Sequence, residues 1–216
     1  MSFFSKVRNN LPGLNSSRKK EEAKQIKRAL KLSLSGVPRD SKVRLNLGCG
    51  DKYLEGYTNV DLAPSRKGKE PDVICDLKKL DFPEGYADEV LSVHTIEHFY
   101  HWEAKDVVAE WMRVLKPGGQ LILECPNLLT AAKHFLKDPE KYSSPGKEGQ
   151  MSMWVFYGDP AWQDPLMCHR WGYTPKSLQK LLCEAGFTQV KQEPAQFKKR
   201  EPRDMRITGI KPARNL

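Results

Sequence analysis

An α/β fold is predicted: a mostly parallel, seven-stranded sheet with helices on both faces and an aromatic-rich insertion after the fifth strand. Three observations predict it. From residue 43 onward, short apolar runs alternate with segments whose apolar residues recur at helical spacing. Several of the runs are apolar throughout, as strands covered on both sides require. The first four runs each end in glycine, an acidic residue or histidine, at the strand ends where open parallel sheets hold ligands.

The first 20 residues carry no pattern, and Pro12, Gly13 and "NSSRKK" interrupt any that begins. Over 20–35, Ala23, Ile26, Ala29, Leu30 and Leu34 recur at helical spacing among Lys24, Lys27, Arg28 and Lys31. That spacing predicts a basic amphipathic helix packed on the domain. "SGVPRDSK" stops it, so residues 1–40 read as a basic arm and 41–216 as the main domain. Strands are expected at "VRLNLGC" (43–49), "YTNVDL" (57–62), "PDVICDL" (71–77), "ADEVLSVHTI" (87–96) and "QLILECPN" (120–127). "FTQVKQ" and "DMRITGIKP" supply the last two. A helix over 101–115 places Val107, Val108, Trp111, Met112 and Leu115 on one face and stops at "KPGG". A second, over 175–186, opens at Thr174-Pro175 and closes at Gly186. Residues 128–173 read as a long loop, an insertion or lid, dense in Trp154, Phe156, Tyr157, Trp162, Trp171 and Tyr173. A loop of that length in a compact domain points to substrate contact.

With 216 residues, 39% of them hydrophobic, the chain supports one domain with a real core, and a wholly disordered chain is excluded. No apolar run approaches the roughly 18 residues of a membrane span. The N-terminus lacks the apolar stretch of a signal peptide, so a cytoplasmic location is expected. Five cysteines, odd in number and without a C-x-x-C, argue against a disulfide framework or a structural zinc.

The net charge of +9 is uneven. Residues 1–44 hold 12 Lys/Arg against 3 Asp/Glu, and 191–216 hold 8 against 3, whereas 45–190 hold 16 against 21. Basic ends suit nucleic acid, weak peripheral contact with an anionic membrane, a phosphorylated substrate, or plain solvation.

In "RLNLGCGDKYLEGYTNVDL", Gly48 and Gly50 end the first strand, where a missing Cβ lets a ligand approach the backbone. Asp61 ends the second strand, where a carboxylate accepts from ribose hydroxyls. Asp76 ends the third and suits an exocyclic amine, and His94 ends the fourth. A dinucleotide fingerprint wants a third glycine and a helix N-terminus for the pyrophosphate. Here Tyr53 holds the glycine position, and the 13 residues from Gly48 to Asp61 leave no room for the helix. S-adenosylmethionine (SAM), a nucleoside cofactor without phosphate, fits such a site.

The ordered set "LNLGCG…NVDL…ICDL…DEVLSVHTIEHF…VLKPGGQLILECPN" resembles the class I SAM-dependent methyltransferases, Rossmann-like proteins, and among them a short-loop, type 11-like group. The resemblance covers 43–127, and "HRWGYTPKSLQKLLCEAGF" (169–187) is similar to the helix and strand that follow. It implies that Gly48, Cys49 and Gly50 border the methionine part of SAM. Asp61, with Leu62 beside it, would bind the ribose, Asp76 and the Leu77 amide the adenine edge, and His94 would border the cofactor. The first helix of the family pattern is missing, and the helix over 20–35 is expected to cover part of that space.

Methyl transfer from a sulfonium is an in-line displacement in which the protein aligns the partners and excludes water. A hydroxyl acceptor also needs a base. His98, which otherwise packs or caps its helix, and His169 are the candidates. His94, His98 and His101 have the spacing of a metal site, but no metal is expected. No N/D-P-P-Y/F stretch follows the fourth strand, which argues against adenine methylation of DNA. The leading expectation is O-methylation of a small molecule or a sugar or glycan precursor. The alternatives are an RNA or other nucleic-acid methyltransferase and a SAM-binding protein without catalysis.

Overall fold

In the computed structural model, residues 42–65, 67–140, 151–159, 163–197 and 204–213 are described. The helix expected over 20–35 and the rest of the basic arm lie outside them, as does Trp162. Lys42–Leu216 form one compact unit.

Seven strands make one sheet: β1 (Arg44–Leu47), β2 (Thr58–Asp61), β3 (Val73–Ile74), β4 (Ala87–Val93), β5 (Leu115–Pro126), β6 (Thr188–Glu193) and β7 (Asp204–Ile210). Their order is β3-β2-β1-β4-β5-β7-β6. The first five strands pair in parallel, and β7 enters antiparallel between β5 and β6. The mostly parallel sheet read from the sequence is present, with its strand count. The chain steps outward from β1 to β3 and then jumps back to β4 on the other side of β1. That reversal opens a crevice at the carboxyl ends of β1 and β4. Leu45, Asn46 and Leu47 of β1 and residues 121–126 of β5 are buried in succession, which is why these strands read as unbroken apolar runs.

Helix α1 (His101–Val114) carries the chain from β4 to β5 and buries Ala104, Val107, Val108, Trp111 and Val114. The expected face is right at Val107, Val108 and Trp111. The helix ends one residue early, because Leu115 already pairs with Ala87 as the first residue of β5. The register then slips between Ala87 and Glu89, and this takes up the turn at Pro117 and Gly118.

Residues 128–173 are not a long loop. They hold α2 (Leu128–Lys137) and α3 (Met151–Tyr157). Asn127 caps α2, its Oδ1 accepting from the amides of Leu129 (3.1 Å) and Thr130 (3.3 Å). The two helices meet edge to face at Phe135 and Phe156, 6.4 Å between ring centroids. Helix α4 (Pro175–Glu184) begins as its sequence requires, with the Thr174 hydroxyl accepting from the Ser177 amide at 3.2 Å and Pro175 in the first turn. It buries Leu178, Leu181 and Leu182. A Cβ on Gly209 of β7 would lie 3.3 Å from Leu182 Cδ2, so helix and strand pack tightly there.

No helix joins β1 to β2. The connection is tied instead by amide side chains. Asn46 Nδ2 donates to Asn59 Oδ1 (2.9 Å) and to the Lys52 carbonyl (2.8 Å), and Asn59 Oδ1 also accepts from the Leu54 amide (2.8 Å).

Candidate active site

The turn after β1 is built from backbone. The amides of Gly48 and Cys49 both donate to the Val60 carbonyl, at 2.9 and 3.2 Å, which bends the chain sharply over the end of β2. Gly48 sits at φ +71°, and a Cβ there would lie 2.2 Å from Thr95 Oγ1. Thr95 is thus packed directly against the turn, and this contact, not ligand access alone, demands glycine. Gly50 is different: its φ is +49°, and a Cβ there would have nothing within 4 Å. Its amide donates to Asp61 Oδ2 at 2.8 Å, and the Leu62 amide donates to Asp61 Oδ1 at 2.7 Å. Two amides therefore aim one half-exposed carboxylate at the open space beside Gly50. Cys49 lies beneath, 4% exposed, and burial first, then the Asp61 charge, pushes its thiol up to about 12. A shallow, solvent-open depression begins here, lined in part by Gly48, Cys49, Val93 and Phe197.

Asp76 follows β3 and is exposed; its Oδ1 accepts from the Lys78 amide at 2.9 Å. Leu77 is buried, and its carbonyl accepts from the Trp111 indole of α1 at 2.9 Å. Glu110 of the same helix takes the Leu80 amide at 2.8 Å. α1 therefore holds the loop that carries Asp76 and Leu77.

His94 ends β4 in the left-handed region, at φ 55°. Its amide donates to the Glu124 carbonyl at 2.8 Å. The ring turns inward: Nε2 lies 2.9 Å from Asp204 Oδ2 and Nδ1 lies 3.3 Å from Glu97 Oε1. The imidazole is thus held between two buried carboxylates.

The two candidate bases lie together. A 3-10 turn (Ile96–His98) follows β4, and the end of the insertion docks on it through the Arg170 and Trp171 amides, which donate to the Glu97 carbonyl at 2.8 and 3.2 Å. The rings of His98 and His169 meet edge to face, 5.1 Å between centroids. His169 Nδ1 lies 2.8 Å from the Val155 carbonyl, and His98 Nδ1 3.2 Å from the Cys168 carbonyl. A carbonyl only accepts, so in each neutral ring Nδ1 carries the hydrogen and Nε2 keeps the lone pair. Burial holds His169 below its ordinary pKa, which keeps the ring neutral at pH 7. His101, by contrast, stacks on Trp171 at 4.3 Å, away from any ligand set with His94.

Glu97 between these rings is buried. Burial alone would raise its carboxyl, but the adjacent His94, then His98 and His169, bring it below the ordinary carboxylate range. Sequence reasoning passed over it, as it did over Asp204 and Glu124. The insertion's aromatic residues divide. Trp154 and Tyr173 are core, whereas Trp171 is 42% exposed beside Tyr100 (40%) and Trp102 (73%) of the α1 entrance. Tyr100 and Trp102 stack at 4.5 Å, and the Arg170 guanidinium lies over Tyr100 at 4.9 Å.

A parallel sheet reversing at β1, a glycine turn at its end and a carboxylate after β2 define the class I SAM-dependent methyltransferase fold. Residues 45–123 match the family model described as a methyltransferase domain, and the strand order is the one that fold has. Among curated proteins the chain is similar to the ubiquinone/menaquinone biosynthesis C-methyltransferase UbiE of Paraburkholderia phytofirmans, 29% identical over 102 residues, or 43% of this chain and 41% of that protein. The chain thus spans about two fifths of the length of the curated relatives it first matches. A SAM-dependent methyltransferase from Methanosarcina mazei shares the fold, with TM-score 0.54 at 17% identity over 82% of this chain and 95% of that one. So does the 1,6-didemethyltoxoflavin-N1-methyltransferase of Burkholderia thailandensis, with bound S-adenosylhomocysteine (TM-score 0.51, 19% identity, 92% and 82% covered).

Proposed function

We propose that the protein binds SAM and transfers its methyl group to an oxygen of a small molecule or of a sugar or glycan precursor. One observation carries the cofactor assignment. The Gly50 and Leu62 amides hold the Asp61 carboxylate at a strand end beside open space, with oxygen lone pairs left for a ribose diol. In this reading Gly48, Cys49 and Gly50 border the methionine portion, Asp76 and the Leu77 amide take the adenine edge, and the His94 backbone closes the far side.

For the acceptor, the supporting observations are the paired imidazoles of His98 and His169 and the exposed Tyr100, Trp102 and Trp171 on the same chain segments. Aromatic faces suit the apolar face of a sugar or a ring. A neutral imidazole takes the hydroxyl proton as the oxygen attacks the methyl carbon and the sulfonium leaves as a thioether. The second insertion helix and the 165–173 segment form one wall of that acceptor site. Five free cysteines support a reducing, cytoplasmic setting. Among the described residues no helix is long and apolar enough to cross a membrane.

The test has two steps. S-adenosylhomocysteine should raise the Tm of the unaltered protein, and Asp61→Ala should weaken its binding by about 10- to 100-fold, the weight of hydrogen bonds to a charged group. Labelled methyl donor incubated with fractionated extract should then mark a hydroxylated small molecule or glycan. Absence of any Tm shift would remove the cofactor assignment. Label arriving in RNA, or at carbon, would replace the acceptor class.

A further inference from the structure

We propose that Glu97, His98 and His169 form a binding site for one divalent transition-metal ion of the zinc class. One ligand atom from each of the three lies within 4.8 Å of the others, the one such grouping among the described residues. The independent observation is the state of Glu97. It is 2% exposed, and neither carboxylate oxygen has a hydrogen-bond partner. His94 Nδ1 approaches Oε1 only at 3.3 Å, without hydrogen-bond alignment, and His169 Nε2 stands 4.0 Å from the same oxygen. A buried carboxylate whose one close partner, His94, stands out of hydrogen-bond alignment is costly, and here it also faces the Nε2 of His169.

The carbonyls of Val155 and Cys168 fix the two rings through Nδ1, so Nε2 is the free electron pair of each. A backbone carbonyl on the far nitrogen is the usual support of a metal-bound histidine, since it fixes the tautomer and raises the basicity of the ligating nitrogen. Two imidazoles and one carboxylate are a common zinc ligand set with the fourth position left for water or substrate. Tetrahedral bonds of about 2.0–2.1 Å would set the ligand atoms about 3.3 Å apart. The triad therefore needs to contract by roughly 1.5 Å at its widest, a side-chain movement. The sequence expectation of no metal considered His94, His98 and His101. The fold instead recruits Glu97 and a histidine from the far end of the insertion.

Metal binding does not depend on the methyltransferase reading. Its use, which rests on that reading, would be to hold the acceptor oxygen at the open position and lower the pKa of its hydroxyl, so that the proton leaves to water and the two ligating imidazoles are relieved of the base role they have without the ion.

The full chain, stripped with chelator and dialysed, is titrated with Zn²⁺ by calorimetry and with Co²⁺ by visible absorption. The expected result is one ion per chain and a tetrahedral cobalt spectrum. His98→Ala should weaken Zn²⁺ binding by roughly 100-fold or more, and His134→Ala, outside the cluster, should leave it unchanged. Glu97 and His169 are buried, so their variants serve only if their folded spectra are retained. Half-exposed His98 decides the matter on a chain that folds. Sub-stoichiometric binding by the unaltered chain, or equal affinity in His98→Ala, would overturn the site. S-adenosylhomocysteine binding is measured on the same chelated sample. Its loss would count against the cofactor reading and leave the metal site standing.

Discussion

The turn after β1 and the cluster after β4 stand at neighbouring strand ends, yet they are built by opposite means. The turn is backbone: amides of Gly48, Cys49, Gly50 and Leu62 do the holding, and the Asp61 carboxylate is half exposed. The cluster is side chain: His94, Glu97, Asp204 and His169 are drawn inward from β4, β7 and the insertion. A ligand that meets the first region meets a preset surface whose shape is fixed by φ angles. One that meets the second meets groups whose charge depends on one another. The first suits an invariant cofactor and the second a group that must be oriented or activated.

The largest expected effect lies where the two regions touch. Gly48→Ala should lower stability by about 3 kcal/mol, combining overpacking against Thr95 with the left-handed backbone. Gly50→Ala has open space and should lose only about 1 kcal/mol. Urea denaturation reads both, and equal losses would show that the Thr95 contact does not separate the two glycines. Adding Thr95→Ala to Gly48→Ala should restore part of the loss.

Acid probes the attachment of the loop after β3 to α1. The hydrogen bonds from Arg113, at 2.7 and 2.8 Å, hold the Glu110 carboxyl below its ordinary range. A carboxyl with a lowered folded pKa stabilises above its unfolded value and loses that contribution as pH falls through the folded one. The Tm difference between the unaltered chain and Glu110→Gln should therefore be full at pH 7 and shrink below about pH 4. A difference constant with pH would mean that Glu110 contributes by packing.

The smallest effect reverses the contrast of open and buried. The turn hides its thiol, as does the end of β3: burial raises Cys49 to about 12 and Cys75 to about 11. Cys168, beside the cluster, and Cys183 on α4 are exposed. Alkylation at pH 8 followed by mass spectrometry should mark Cys168 and Cys183 in the folded chain and leave Cys49, Cys75 and Cys125 for the denatured one. Rapid labelling of Cys49 would show that the turn opens.

These differences also decide what the sequence could reveal. The turn was legible because its parts lie in one stretch and its chemistry is that of glycine and a strand-end acid. His98 and His169 were each visible as histidines near strand ends. Their meeting was not, because it depends on the Arg170 and Trp171 amides finding the Glu97 carbonyl across the fold. Nothing in "HTIEHF" sets Glu97 apart from any other acid; only burial gives it significance. Helix α2 did carry a signal, Asn127 before "LLTAAKHFLK", but the Pro, Gly and aromatic content of the surrounding segment masked it. The inward turn of His94 needed Asp204, whose position follows from β7 pairing next to β5.

Helix α1 joins the loop after β3 to the cluster after β4. Its last turns hold Leu77 and Leu80, its first residue stacks on Trp171, and the turn before it receives the docked insertion. This matters for transplantation. An engineer who exchanged residues 165–173 for those of another protein would bring in a segment without the surface that seats it. The smallest unit that can be moved between backgrounds is therefore that segment together with residues 96–102, although the rest of α1, β5, α2 and α3 separate them along the chain.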